Sequence, residues 1–170
     1  MACLLATLAA GAALGQDDPL EQRLALAQER GGYPASVLYS ELGQYRLAIE
    51  HAEEALVAPS PATRCRATAV LLDARFRLEA LEAGDAPFAR AIADCLDAGD
   101  LAAAGSIRVT YARALHADSR THDALELLRL HVDGIEDSGR PRLVADAHAL
   151  LAELALAVGD HASAASSARR

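Results

Sequence analysis

The sequence has no Lys, Asn or Trp, one Met, and aromatic residues make up only 4% of it. With Lys missing, all 16 basic side chains are Arg, and against 24 acidic ones they leave a net charge of -8. Binding to nucleic acid or anionic lipid needs a basic face, so this balance argues against both as nonspecific partners. No alternating apolar and polar run is long enough for a strand, and no hairpin signal occurs, which excludes a β-rich fold. The motifs HExxH and GxSxG and a phosphate-cradling glycine loop are all absent, so no familiar catalytic constellation, metal centre or cofactor site is expected. The longest uncharged stretch lies at the N-terminus, and its apolar part is shorter than the ~20 residues of a membrane span. No stable span is therefore expected.

What the chain does have is alanine. It supplies 41 of the 170 residues, and 52% of the chain is hydrophobic. Alanine has the best intrinsic helix propensity, and its small side chain lets helices approach closely. The composition thus favours an all-α fold with one domain or one short array. Residues 1–15 carry no charge, run apolar from Leu4 to Leu14, and end Ala13-Leu14-Gly15 before the polar Gln16-Asp17-Asp18. They read as a secretory signal peptide that lacks the usual positive n-region, which gives a periplasmic or secreted bacterial protein.

Proline, glycine and aspartate punctuate the remainder. Asp18-Pro19-Leu20-Glu21 reads as a helix start, and Gly31-Gly32 as its stop, so residues 16–32 form an N-terminal helix. Further helices are expected from Pro34 to Leu42, Tyr45 to Ala58, Ala62 to Ala83, Asp85 to Ala98, Leu101 to Ala117, Thr121 to Ile135, Pro141 to Val158 and His161 to Arg170. The pairs Gly43-Gln44, Gly84-Asp85, Ser119-Arg120 and Gly159-Asp160 recur at intervals of roughly 35–40 residues, a period within the range of repeat architectures. Each is followed, five residues after its first member, by Ala48, Ala89, Ala124 or Ala164. The turn allows a second helix to fold back, and the alanine lets it lie close to the first.

On these residues, and best in LGQYRLAIEHAEEAL with Gly43, Tyr45, Ala48, Ala52, Ala55 and Leu56, the chain resembles the tetratricopeptide repeat (TPR) family. The spacing is longer than the usual ~34 residues of that family, so the repeats would be elongated. The resemblance implies antiparallel helix pairs stacked as a right-handed solenoid over residues 33–170, in about four units with the last incomplete. It also implies a noncatalytic scaffold that binds a protein or peptide in a groove lined by the first helix of each pair. Carried over position by position, that groove is Tyr33, Val37 and Glu41, then Ala74, Leu78 and Glu82, then Val109, Arg113 and His116, then Ala149, Glu153 and Leu156. The short last helix suggests either self-association through the C-terminal edge or the sensor region of a larger membrane signalling protein.

Two smaller groups complete the reading. His116, Asp118 and His122 cluster around the third turn and offer a weaker, metalloenzyme reading; surface histidines are the simpler account. Cys65 lies about five helical turns before Gly84, and Cys95 about three turns after it. For two helices turning at that glycine the offset is about 12 Å at ~1.5 Å per residue. The expectation is therefore two separate, packed thiols, not a disulfide.

Overall fold

A computed structural model describes residues 19–78 and 84–170. The expected leader, residues 1–15, and the groove position Glu82 lie outside the described residues. Among those described, every regular element is a helix: α1 (Pro19–Arg30), α2 (Gly32–Glu41), α3 (Tyr45–Ala55), α4 (Pro61–Arg77), α5 (Asp85–Asp97), α6 (Leu101–Ala117), α7 (Thr121–Glu136), α8 (Pro141–Ala157) and α9 (His161–Ser167). The all-α class follows directly from composition and punctuation. None of these helices is long and apolar enough to cross a membrane.

The helix starts have local causes. Ser60 Oγ accepts from the Thr63 amide at 3.3 Å, and Pro61 occupies the first turn of α4. Asp100 and Asp160 cap α6 and α9 by accepting from the Ala103 and Ser163 amides, each at 3.0 Å. Pro141 opens α8, where its missing N–H costs nothing. Four helix ends share one device. Gly43, Gly99, Ser119 and Gly159 all adopt positive φ. The next amide in each case reaches back to a carbonyl five residues earlier: Gln44 to Tyr39, Asp100 to Cys95, Arg120 to Leu115 and Asp160 to Ala155. This is the left-handed cap that closes orphan carbonyls. Gly84 does not belong to the series, since its φ is -102° and it precedes α5. The fourth member is Gly99.

α4 is described from Pro61 to Arg77, and most of its expected continuation to Ala83 lies outside the described residues. Cys65 lies just over three turns before the end of α4, and Cys95 just under three turns after the start of α5. Both residues belong to one core cluster.

The core is divided into three successive clusters. One gathers Ala27, Ala35, Leu38, Tyr39, Ala48 and Ala74 from the first four helices. The next holds Cys65, Leu72, Phe88, Cys95, Ala104 and Ile107 from α4, α5 and α6. The last holds Leu115, Leu125, Leu128, Ile135, Leu151 and Leu154, and extends to Ala164 of α9. α4 contributes to the first two clusters, and α6 to the last two. Each helix touches the next in sequence, and α2, α4, α6 and α8 also touch one another in that order. Close approach at α6 requires Gly105: a Cβ there would sit 3.2 Å from Leu143 and 3.3 Å from Ile135.

Candidate functional site

The row α2, α4, α6, α8 leaves a cleft of about 540 Å³ along one side. Five of the expected groove residues line it: Tyr33, Val37 and Glu41 from α2, and Val109 and Arg113 from α6. Leu78, His116 and Glu153 lie outside it. Leu78 follows the last turn of α4 and is partly exposed. His116 Nε2 stands 4.0 Å from Glu153, and its Nδ1 is 3.0 Å from Thr121 Oγ1. Ala74 is fully buried in the core, where a wall position was expected.

The cleft also contains residues that the carry-over did not reach. α4 contributes Arg66, Asp73 and Arg77, α6 and its N-cap bring Asp100, Ser106 and Thr110, and the start of α8 brings Arg140, Arg142 and Asp146. The shift along α4 is a single residue: Asp73 and Arg77 face the cleft where Ala74 and Leu78 were expected. On α8 the lining comes from the first two turns, not from the later positions Ala149 and Glu153.

Five guanidinium groups (Arg66, Arg77, Arg113, Arg140, Arg142) face four carboxylates (Glu41, Asp73, Asp100, Asp146) in this space. The cleft is therefore close to neutral, with one cation in excess, on a chain of net charge -8. Arg66 Nε donates to Asp100 Oδ2 at 2.7 Å. Asp73 lies between Arg77 at 3.6 Å and Arg113 at 3.9 Å. Arg23 reaches Glu41 at 3.1 Å. Arg140, Arg142 and Asp146 make no ion pair with any described residue, which leaves two cations and one carboxylate at the α8 end for a ligand.

Burial raises the Tyr33 phenol above its ordinary value, and the nearby charges of Arg66 and Arg140 oppose that rise. The Asp100 hydrogen bond raises Arg66 further, so the guanidinium stays charged. Among the described residues, no histidine or cysteine lines the cleft. Its Ser106 hydroxyl donates to the Ala102 carbonyl at 3.0 Å. What the arrangement supplies is a row of charged and hydroxyl groups set among Val37, Val70, Val109 and Leu143, suited to holding an extended polar chain.

Elsewhere, no three His, Cys, Asp or Glu side chains among the described residues gather in a metal-holding group. His116, Asp118 and His122 do not converge. Asp73 pairs with Arg77, one turn on, and Arg75 turns instead to Glu53 at 2.8 Å. His51 stacks on Tyr39 with ring centroids 5.2 Å apart. His148 is buried, with Nε2 2.8 Å from Glu136 Oε1.

The cysteines require a correction. Cys65 and Cys95 are both free and buried, but they are not separated. They share one core cluster and line the same second cleft, of about 870 Å³, between α4 and α5. Burial, and then the neighbouring Cys65 thiol, raises the Cys95 thiol well above the usual range. The expected offset was measured from a turn at Gly84, whereas Gly84 is the N-cap of α5.

No protein-family model, curated protein or solved structure matches this chain.

Proposed function

We propose that the chain is a noncatalytic helical-repeat scaffold, similar in kind to tetratricopeptide repeat proteins, which holds a segment of another protein in the cell envelope. The observation that carries this reading is the cleft along α2, α4, α6 and α8. It spans four consecutive even-numbered helices, and its α8 end offers Arg140, Arg142 and Asp146, which make no ion pair with any described residue.

Three features support a stacked solenoid. The core clusters are linked in series through α4 and α6. Arg66 meets Asp100 near the starts of α4 and α6, and Asp73 meets Arg113 further along both, so these two helices run in the same direction. The left-handed cap recurs at four helix ends. Units that contact only their neighbours give a one-dimensional array with a long side groove, and such grooves bind extended or helical peptide segments.

The test is crosslinked capture from the source cells with the tagged full-length chain and with an R140E/R142E variant. A protein retained by the first and lost by the second, at unchanged helicity, supports the cleft. Equal retention removes it. Export is tested separately by fractionation and N-terminal mapping of the tagged protein. A mature N-terminus near Gln16 in the envelope fraction fits this reading, and an intact leader in the cytoplasm does not.

A further inference from the structure

We propose that Cys65 and Cys95 form a convertible dithiol, and that a disulfide-bearing oxidant closes it into an intramolecular bridge that clamps α5 onto α4. The inference is independent of what binds in the arginine-lined cleft.

Placement is the first argument. Of the three cysteines in the sequence, these two stand on facing helices, in one core cluster, at one cleft. The Cys65 thiol stands within hydrogen-bonding reach of Cys95. Ala69 and Ala91, one turn from each, belong to the same cluster, so small side chains flank the pair and let the helices approach. A bridge needs its Cα atoms within ~7 Å, so closing it holds α5 against α4 at this point.

The packing around the pair is the second argument. α5 rests mainly on α6 and only lightly on α4. The α4–α5 cleft stands open between them, and both thiols lie along its wall. A covalent link at this position would join the two helices where noncovalent contact is thinnest.

The chemistry is thiol–disulfide exchange with a small disulfide such as oxidised glutathione, or with the disulfide of an oxidoreductase. Cys65 is slightly less buried than Cys95, at 5% against 1% exposure, so it is the entry point. Its thiolate attacks one sulfur of the oxidant, the oxidant's S–S bond breaks, and the first thiol leaves. The Cys95 thiolate then attacks Cys65 Sγ and expels the second. Two protons leave the cysteines and two protonate the departing thiols; the protein sulfurs are oxidised and the oxidant is reduced. Arg64 and Arg90 line the same cleft, with Asp94 and Asp97 beside them. Arg64 is engaged by the carbonyls of Ala58 at 2.8 Å and Pro59 at 3.1 Å, and the charges of Asp100 and Asp94 add to the rise of the Cys95 thiol. Burial holds Cys95 protonated at neutral pH. Exchange should therefore be slow at neutral pH and accelerate as pH rises.

The experiment incubates the folded full-length chain with oxidised glutathione at several pH values, followed by non-reducing peptide mapping. The expected product is a Cys65–Cys95 crosslinked peptide, formed faster at higher pH. Thermal melting of that product should rise by roughly 5–10 °C and fall back on reduction. A C95S variant should stop at a glutathione adduct on Cys65. The proposal is overturned if the native thiols stay unmodified, if each ends as its own glutathione adduct, or if the only links formed involve Cys3.

Discussion

Asp100 uses its two carboxylate oxygens for two different helices: Oδ1 accepts from the Ala103 amide at the start of α6, and Oδ2 accepts from Arg66 of α4 at 2.7 Å. The residue is 8% exposed, whereas the Arg66 side chain is 45% exposed. The cap and the interhelix tie thus rest on one side chain at the wall of the arginine-lined cleft.

Replacing Asp100 with Ala removes both. Loss of an N-cap costs ~1 kcal/mol. The ion pair with a half-exposed arginine adds less than about 1 kcal/mol. We expect D100A to lose about 1–2 kcal/mol in urea unfolding, with an unchanged m-value. D100N keeps a capping oxygen and should lose about half as much or less. Equal losses in the two variants would mean that the cap contributes nothing.

Ser119 occupies a left-handed position, φ 65°, that glycine fills at the ends of α2, α5 and α8. A residue with a Cβ is strained there by about 1–2 kcal/mol. Glycine relieves that strain but adds unfolded-state freedom worth about 0.4–1 kcal/mol. The strain term is the larger, so S119G should stabilise the protein by up to about 1 kcal/mol. A lower melting temperature for S119G would refute the assignment of that cap.

Helix positions were legible because proline, glycine and aspartate mark them chemically. α6 runs from Leu101 to Ala117, as the turns at Gly99-Asp100 and Asp118-Ser119 imply. The cleft was legible only in part, for a physical reason. α4 touches α2, α3, α5 and α6, so it carries small apolar residues on several sides and shows no single apolar stripe. A one-residue shift between Ala74 and Asp73 then has no periodicity to prevent it. Arg140 and Arg142 could have been found from Pro141, which fixes the start of α8 beside the starts of the other cleft helices. The cysteine pair was missed because its register was measured from a turn at Gly84, and that glycine is the N-cap of α5.

Asp160 supplies the clearest acid-side prediction. Its oxygens accept from the Ser163 amide at 3.0 Å and from Arg129 at 2.6 Å. The Ser163 hydrogen bonds first, and Arg129 after them, lower the carboxyl to about 2. A lowered folded-state value means that the unfolded chain binds the proton more readily, so stability rises with pH across this window. The contribution is present in full above the ordinary aspartate range near 3.9 and is lost as pH falls toward 2. Carboxyl NMR should place the Asp160 midpoint below the other exposed aspartates. D160N should flatten the stability–pH slope between those limits, and an unchanged slope would count against the capping geometry.

Tyr111 gives the opposite sign at alkaline pH. Its ring stacks on Phe88 with centroids 4.5 Å apart and planes 17° from parallel, and its hydroxyl donates to Asp85 at 2.6 Å. Burial first, and then the Asp85 hydrogen bond, push the phenol up to about 12. Because the folded state keeps its proton longer than the unfolded chain, this contribution is complete below the ordinary tyrosine value near 10 and is lost as pH rises toward 12. Y111F keeps the stack and loses only the hydroxyl. Since Asp85 is largely exposed, we expect a cost of about 1 kcal/mol or less. F88A removes a fully buried ring and should cost about 3–5 kcal/mol. In Y111F the highest-titrating phenolate should vanish from an ultraviolet titration, and the alkaline loss of stability should shrink with it. If the highest step survives in Y111F, it belongs to Tyr33, the other tyrosine raised by burial, and the Asp85 contact does not set it.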